Sequence, residues 1–159
     1  MDAKTRRKSL RLLTNGMYVM SSRSGDRYGA GTVTWVSQAS FRPPLIMAAV
    51  RRESNVFKCL CESRVAAIHI LGRHQQDLAQ RFFSPTAAGN GTINGEPFTD
   101  GVTSAPILKS APAYLEGWVR HIIDDLGDHA VVIMEVADAA CRDDVRPLTI
   151  AESPWEYGG

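Results

Sequence analysis

The sequence predicts an α+β fold, a mostly antiparallel β-barrel of six or seven strands in Greek-key order with short helices at its edge and ends. Apolar and β-branched runs of strand length recur along the chain, and glycine, proline, asparagine and aspartate separate them. Three short stretches have helical spacing, but they do not alternate with the strands as helices do around a parallel sheet. A chain of 159 residues can bury one core, so we expect a single domain over residues 1–159.

The start of the chain predicts a helix followed by a β-hairpin. Residues 4–13 place leucines among basic residues at helical spacing. Residues 17–22 and 28–36 have strand character and flank a Ser-Gly-Asp turn. Gly29 and Gly31 indicate that something approaches the backbone of the second strand closely.

The middle of the chain predicts two buried strands, each followed by a helix. Pro43-Pro44 interrupts the β pairing, and the apolar run 45–50 has the length of a buried strand. Ser54 is suited to cap the helix that follows this strand. Residues 65–71 are rich in β-branched and small apolar residues, and residues 75–83 have helical spacing.

The last part of the chain predicts a long loop and a long hairpin. Residues 84–104 show little periodicity, and a loop of this length in a compact domain is usually functional or mobile. Two long strands are expected at about 112–123 and 129–138. Residues 147–150 predict a short final strand, and residues 155–159 a tail.

Composition narrows the classes of partner. The formal net charge of +1 gives no general electrostatic basis for binding nucleic acid or an anionic membrane. The basic run at residues 4–8 is expected to be a solvated arm or helix face. No stretch approaches the ~20 apolar residues that a membrane helix needs, and no signal peptide is visible.

The cysteines predict neither a metal site nor a disulfide framework. The chain has three of them, so they cannot all pair. Cys59 and Cys61 are separated by one residue, whereas zinc and redox motifs use a two-residue spacer. We therefore expect reduced cysteines, including Cys141, no metal ion and a cytoplasmic location.

The segment from Gly31 to Leu45 is the first candidate binding element. Hydroxyl and amide side chains stand there among apolar neighbours, and Thr32 and Thr34 share one face of a strand. Residues 37–40 precede the proline pair, so we expect them to leave extended pairing and expose backbone N–H and C=O groups. Apolar faces with a few polar partners suit a flat heterocycle. The alternative is a strand whose hydroxyls face solvent.

The second candidate element follows the buried strand directly. Arg51 and Arg52 come just before Ser54 and Asn55 at the start of a helix. Two guanidinium groups beside free helix N–H groups can hold a phosphate. The alternative is a solvated junction with an ordinary serine cap. The chain has no G-x-G-x-x-G or G-x-x-x-x-G-K-[ST] motif, so a mononucleotide would be held without either phosphate loop.

The third candidate element is Gly127-Asp128-His129, between the two long strands. His129 is one of four histidines, and a histidine after such a turn is by itself more often a surface residue than a functional one. His129 becomes a candidate site residue because the chain also contains the other two candidate binding elements.

Taken together, these elements resemble the signature of the flavin reductase-like family of FMN-binding split barrels. In residues 31–55 the matching positions are Thr32, Thr34, Ser40, Pro43, Pro44, Leu45, Arg51 and Ser54. Residues 66–83, the segment 127–136 and the ending with Pro147-Leu148 and residues 155–159 are also similar to the family, in the right order. Gln38-Ala39-Ser40 replaces the Ser-Val-Ser of many two-component reductases and resembles the flavin-reductase domains fused to flavodiiron proteins.

The resemblance implies a homodimer that binds FMN, with FAD as an alternative flavin, and transfers a hydride to it from NAD(P)H. It implies a monooxygenase or another redox protein as the acceptor of the reduced flavin or its electrons. The alternative is a flavoredoxin-like FMN electron carrier with little NAD(P)H activity. The resemblance places the FMN phosphate and the rest of the flavin on Arg51, Arg52, Ser54, Asn55, Thr32, Thr34, Trp35, Gln38, Ala39 and Ser40. It places NAD(P)H near His129, with the segment 84–104 covering the site.

Overall fold

The computed structural model describes all residues, 1–159, and has three α-helices and eleven strands. In chain order these are α1 (Ala3–Arg11), β1 (Tyr18–Ser24), β2 (Arg27–Val33), β3 (Val36–Ser40), β4 (Leu45–Arg51), α2 (Asn55–Ser63), β5 (Val65–Ile70), α3 (Gln76–Arg81), β6 (Ala88–Gly89), β7 (Thr92–Ile93), β8 (Glu96–Asp100), β9 (Pro106–Leu108), β10 (Ala113–Ile123) and β11 (His129–Cys141).

The main sheet confirms the antiparallel barrel. Its seven strands run in the order β2-β1-β5-β10-β11-β4-β3, and each neighbouring pair is antiparallel. Six of the seven strands form the hairpins β1–β2, β3–β4 and β10–β11. The chain crosses the sheet between β2 and β3, which lie at opposite edges, and between β4 and β5, which are separated by β10 and β11. The edge strands β2 and β3 are not paired with each other, so the barrel is split between them.

Alternation along the strands explains how the barrel buries its core. In β4, Ile46, Ala48 and Val50 are buried while Met47 and Arg51 are exposed, as expected where every second side chain faces inward. The buried residues of β4 pack with those of β5, β11 and α2 in one apolar cluster. Burial of these side chains is the main force that closes the sheet.

Helix α2 packs directly onto the first hairpin. Ser54 accepts a hydrogen bond from the Phe57 N–H, which confirms the predicted cap. A Cβ placed on Gly29 would lie 2.5 Å from the Asn55 carbonyl oxygen. The close approach predicted at this glycine is therefore the start of α2.

The segment 84–104, predicted to be a loop, instead forms much of a second sheet. This sheet has the order β6-β7-β8-β9, and its strands β6 and β7 have only two residues each. Strands of two residues have no periodicity that a sequence can display, which explains why β6 and β7 were not predicted.

Two other predictions of strand boundaries are wrong. Strand β2 ends at Val33, and residues 36–40 continue as β3 rather than leaving extended pairing, because β4 offers them a free edge. The pairing shifts register between Gln38 and Ser40, so the local irregularity is a bulge. Residues 147–150 make only isolated bridges, Gly72 with Pro147 and Gly16 with Thr149.

Helix α1 lies on the surface, and none of its residues is buried. None of the helices has both the length and the apolar character that crossing a membrane requires.

Candidate functional site

A cavity of about 690 Å³ opens beside the split of the barrel. Its size lies within the range of small-molecule sites, roughly 300 to 1,000 Å³. Most of its lining comes from five parts of the chain: the end of β2 and the residues after it, the end of β4 with the start of α2, the segment after α3, the first residue of β11, and residues 155–157. Met17 and Ile150 complete it. Half of the 24 lining residues are hydrophobic, so the cavity combines apolar walls with polar groups.

Seven of the predicted site residues lie together in this cavity, and four lie outside it. Those inside are Thr32, Thr34, Trp35, Arg51, Ser54, Asn55 and His129. Those outside are Gln38, Ala39, Ser40 and Arg52. The segment 84–104 contributes only its first three residues, Ser84 to Thr86, to the lining.

The two threonines of the cavity differ in hydrogen bonding. The Thr32 hydroxyl donates to the Ala79 carbonyl oxygen at 2.6 Å. The Thr34 hydroxyl is buried and has no hydrogen-bond partner in the protein. A buried hydroxyl without a partner costs about 1–3 kcal/mol. Of the two threonines, Thr34 is therefore the one whose hydroxyl makes no hydrogen bond within the protein.

The start of α2 provides backbone donors to the cavity. Asn55 and Val56 are the first two residues of the helix and both line the cavity. Their N–H groups have no acceptor within the helix. The Ser54 hydroxyl, in contrast, is occupied, since it donates to the Arg51 carbonyl oxygen at 2.7 Å and accepts from Phe57. Ser54 thus fixes the helix terminus rather than presenting its own hydroxyl.

The paired arginines are directed to different places. Arg51 lines the cavity next to the helix terminus. Arg52 donates from Nη1 to the Gly127 carbonyl oxygen at 3.3 Å, and its backbone N–H donates to the Asp128 carbonyl oxygen at 3.3 Å. Strand β4 ends at Arg51, and Arg52 lies in the turn that follows it, with its side chain directed to the β10–β11 turn. Arg52 ties the β10–β11 turn to the end of β4.

Gln38, Ala39 and Ser40 lie on the exposed edge strand β3. The side-chain amide of Gln38 donates to the Ser40 carbonyl oxygen at 3.3 Å, and both Gln38 and Ala39 are exposed. They contribute nothing to the cavity of this chain.

His129 is held in a group of three rings. Its ring centroid lies 4.6 Å from that of Trp35, and the Trp35 and Tyr157 centroids are 5.3 Å apart. Its Nδ1 is 2.7 Å from a carboxylate oxygen of Asp128, and its Nε2 is 2.8 Å from the Tyr157 hydroxyl. The hydrogen bond from His129 lowers the pKa of Asp128.

The residues that sequence reasoning missed come from the tail. Trp155, Glu156 and Tyr157 line the cavity, and Trp155 packs edge-on against Phe83 with 4.9 Å between the ring centroids. The tail is held by α1, because Arg11 pairs with Glu156 at 2.6 Å. Arg11 also donates to the Gly158 carbonyl oxygen at 3.1 Å. The aromatic residues of the tail were visible in the sequence, but their return to the cavity depends on these distant contacts.

The cavity therefore has the chemistry of a site for a planar ligand with an anionic group. Arg51 and the N–H groups at the start of α2 can hold the anion. The Thr34 hydroxyl can hydrogen-bond a polar atom, and the apolar walls and aromatic rings can contact a flat ring system.

Comparisons with known proteins identify the family of the chain. The family model of the flavin reductase like domain matches residues 10–154. An NADH:FMN oxidoreductase of Rhodococcus qingshengii is 31% identical over 141 residues, which cover 87% of this chain and 70% of that protein. Diflavin flavoprotein A 1 of a Synechocystis strain is 28% identical over 132 residues, 82% of this chain and 23% of that protein.

Solved structures share the fold. The NADH:FAD oxidoreductase SgcE6 of Streptomyces globisporus C-1027 superposes with a TM-score of 0.81 over 100% of this chain and 96% of that chain, at 20% identity. A flavin reductase domain protein of an Arthrobacter species has a TM-score of 0.79 at 23% identity, over 94% of this chain and 95% of that chain. Because the family model spans most of the chain, the protein belongs to the flavin reductase like domain family.

Proposed function

We propose that the protein is an NADH-dependent flavin reductase that binds FMN in the cavity beside the barrel split. The observation that carries the proposal is the buried, unpartnered Thr34 hydroxyl in a cavity that also contains Arg51 and the open start of α2. A hydroxyl without a partner, a guanidinium and free helix N–H groups are the kinds of group that could bind the polar atoms and the phosphate of a flavin mononucleotide. The similarity to an NADH:FMN oxidoreductase supports the same ligand and the same reductant.

The residues present fit FMN. Arg51, together with the N–H groups of Asn55 and Val56, would hold the phosphate at the helix start. Thr34 would donate to or accept from a polar atom of the ring or the ribityl chain, which satisfies its hydroxyl. Gln38, Ala39, Ser40 and Arg52 would reach a flavin only if it extended beyond this cavity, or if it belonged to a second copy of the chain.

The protein contributes orientation and exclusion of water to the reaction. When bound, FMN supplies the acceptor for the hydride of NADH. The Trp35, His129 and Tyr157 rings form an aromatic surface at the cavity, and a nicotinamide ring can lie against it. Holding the two ring systems together converts a bimolecular encounter into a reaction within one complex.

We also propose that the protein works as a homodimer. On the outer face of the sheet, Met47 pairs with Ile133, and Trp118 lies on the next strand. Met47 and Trp118 are each 43% exposed, so an apolar face is open to water. The same face continues to Arg51 and His129, which pair at the end of β4 and line the cavity. A second copy on this face would bury its apolar residues beside the cavity.

The remaining expectations rest on family membership alone. We propose a cytoplasmic protein whose reduced flavin, or the electrons it carries, passes to an oxygenase or another redox protein. FMN is proposed over FAD because the 31% identical relative is named for FMN.

The experiment that tests the function is anaerobic addition of NADH to the purified protein with bound FMN. We expect the visible flavin absorbance to bleach rapidly with NADH and, under air, repeated turnover with FMN as substrate. NADPH and FAD, tested in the same way, measure the two preferences. A flavin that binds but stays oxidised with both nucleotides would favour the electron-carrier alternative, and failure to bind any flavin would overturn the proposal.

A further inference from the structure

We propose that Tyr157 is a positioning residue of the reductase: its hydroxyl occupies Nε2 of His129 and presents the plane of that ring, not a ring nitrogen, to the nicotinamide nucleotide. The functional consequence rests on the proposed reductase activity, whereas the positioning of His129 does not. Tyr157 is not part of the three elements that the sequence singled out for chemistry.

Both ring nitrogens of His129 have partners within hydrogen-bonding distance. A carboxylate oxygen of Asp128 is 2.7 Å from Nδ1, and an ionised carboxylate can only accept, so Nδ1 carries the proton. In the neutral ring Nε2 is then the acceptor, and the Tyr157 hydroxyl, 2.8 Å away, is its donor. The two hydrogen bonds together fix the plane of the ring.

The bond from Tyr157 is the stronger constraint of the two. The Asp128 side chain is 94% exposed, so water competes for its carboxylate. Exposed pairs of this kind contribute little. Tyr157 lines the cavity and is 37% exposed, less than Asp128, so water competes less for its hydroxyl. We therefore expect the His129 ring to reorient when the Tyr157 hydroxyl is lost, even though the hydrogen bond to Asp128 remains.

Occupied nitrogens leave the ring plane as the surface of His129 that a substrate can use. The plane lies beside Trp35, at 4.6 Å between centroids, and Tyr157 packs on the same indole at 5.3 Å. A flat, partly charged ring such as nicotinamide binds such a surface by stacking. The contacts of Arg11 with Glu156 and Gly158 hold Tyr157 in reach of His129.

The first test observes His129 directly and needs no activity. Nitrogen-15 NMR of the imidazole groups at a pH above 8, where ordinary histidines are neutral, reports which nitrogen carries the proton. We expect the Nδ1–H tautomer in the wild type and a clear increase of the Nε2–H tautomer in Tyr157→Phe, with the signal assigned by its loss in His129→Leu. Tyr114→Phe is the matched control, since its hydroxyl bonds Asp138 away from the cavity. An unchanged tautomer in Tyr157→Phe overturns the proposal.

The second test measures what the positioning does. Tyr157→Phe keeps the ring on Trp35, and we expect the KM for NADH to rise about three- to tenfold with kcat within about twofold, since one hydrogen bond is lost. In a His129→Leu background the same change should add nothing, because its partner is already absent. Equal effects in both backgrounds would show that Tyr157 acts independently of His129 and would overturn the proposal. A wild type without NADH oxidation would contradict the proposed reductase, and the NMR result would still decide the role of Tyr157.

Discussion

At the scale of single residues, Thr34 shows how the fold gives up stability at the site. Its hydroxyl is buried without a partner, whereas the Thr32 hydroxyl two residues earlier donates to the Ala79 carbonyl oxygen. Both side chains line one cavity, but only the Thr34 hydroxyl has no hydrogen-bond partner in the protein. A stability cost kept at a functional site is a recurring feature of binding proteins.

Thr34→Val should therefore separate stability from binding. Valine has nearly the same shape and no hydroxyl, so we expect the free energy of unfolding of the flavin-free protein to rise by about 1 kcal/mol. FMN affinity should fall about fivefold or more, because the hydrogen bond to the ligand is lost. Urea unfolding without flavin and fluorescence titration with FMN measure the two quantities.

Thr32→Val is the matched control for this change. It removes a hydroxyl that already has a partner, so the flavin-free protein should lose about 1 kcal/mol instead of gaining it. If Thr34→Val also destabilises the flavin-free protein, or leaves FMN affinity unchanged, Thr34 is not a ligand-binding group.

The two neighbouring arginines give a second prediction at this scale. Arg51→Ala should weaken FMN binding about 10- to 100-fold, since a hydrogen bond to a charged group is worth about 1.5–3 kcal/mol. Arg52→Ala removes the same charge from the adjacent position but leaves the cavity intact, and its effect should stay below about threefold. Flavin titrations at two salt concentrations compare them. Equal losses would mean that net charge, rather than a contact made by Arg51, determines the affinity.

At the scale of elements, buried polar side chains fasten the second sheet to the barrel. His69 on β5 is fully buried, and its Nδ1 lies 2.9 Å from the Val19 carbonyl oxygen of β1. Its Nε2 accepts the N–H of Leu108 on β9 at 3.0 Å. The Glu116 carboxylate of β10 accepts the N–H groups of Val102 and Thr103, which precede β9. These contacts position a segment that has few long strands of its own.

Burial lowers the pKa of His69 to about 4, from an ordinary value of 6.5, and this predicts acid sensitivity. Because the unfolded chain takes up the proton first, the stabilisation is complete above pH 6.5 and is lost as the pH falls toward 4. The loss over this window should approach about 3 kcal/mol. Urea unfolding of the wild type at several pH values measures it.

Replacement of single histidines assigns the effect. His69→Gln should be less stable at pH 7 but should lose less stability between pH 6.5 and 4 than the wild type does. His74→Gln, at an exposed position, should follow the wild-type profile. Should the His69 signal titrate near 6.5 by NMR, this source of acid sensitivity would be excluded even if the variant does not fold.

Helices and strands were predicted correctly where a local sequence pattern of sufficient length marks them. Strand β4 was predicted from an apolar run of strand length, and the predicted range 45–50 is close to Leu45–Arg51. The cap Ser54 located α2 because the local hydrogen bond is encoded within four residues. The strands β6 and β7 carry no such pattern, and the strand β3 is interrupted by a register shift between Gln38 and Ser40 in its pairing with β4.

The candidate site was predictable where its residues end an element. Arg51 is the last residue of β4, His129 is the first residue of β11, and Thr34 directly follows β2. The cavity contains all three. The sequence could not distinguish the role of Arg52 from that of Arg51, because the difference depends on where β4 ends. The strand ends at Arg51, and Arg52 lies beyond it. Tyr157 was missed because a contact between α1 and the tail, far apart in the chain, brings it to His129.

At the scale of the whole molecule, the sheet places an apolar outer face beside the cavity. Met47 and Ile133 are directly paired on β4 and β11, and two positions further along the same face Ala49 pairs with Val131. Arg51 and His129 complete this ladder at the cavity. Side chains of opposite strands that pair directly lie on the same face, so the face and the cavity are continuous. A partner on this face would contact the site as well as the sheet.

The proposed homodimer can be tested on this face. We expect the wild type to sediment at twice the 17.4 kDa mass of the chain, and Met47→Glu and Ile133→Glu to shift it toward the monomer, because each places a charge in the apolar contact. Val102→Glu is the control, since Val102 is 70% exposed on a different part of the surface and the dimer should persist. If the interface borders the cavity, FMN affinity should fall together with dimerisation in the two face variants and stay unchanged in Val102→Glu. A wild type that is monomeric at micromolar concentration would contradict the dimer, and monomeric variants with full FMN affinity would show that one chain holds the complete flavin site.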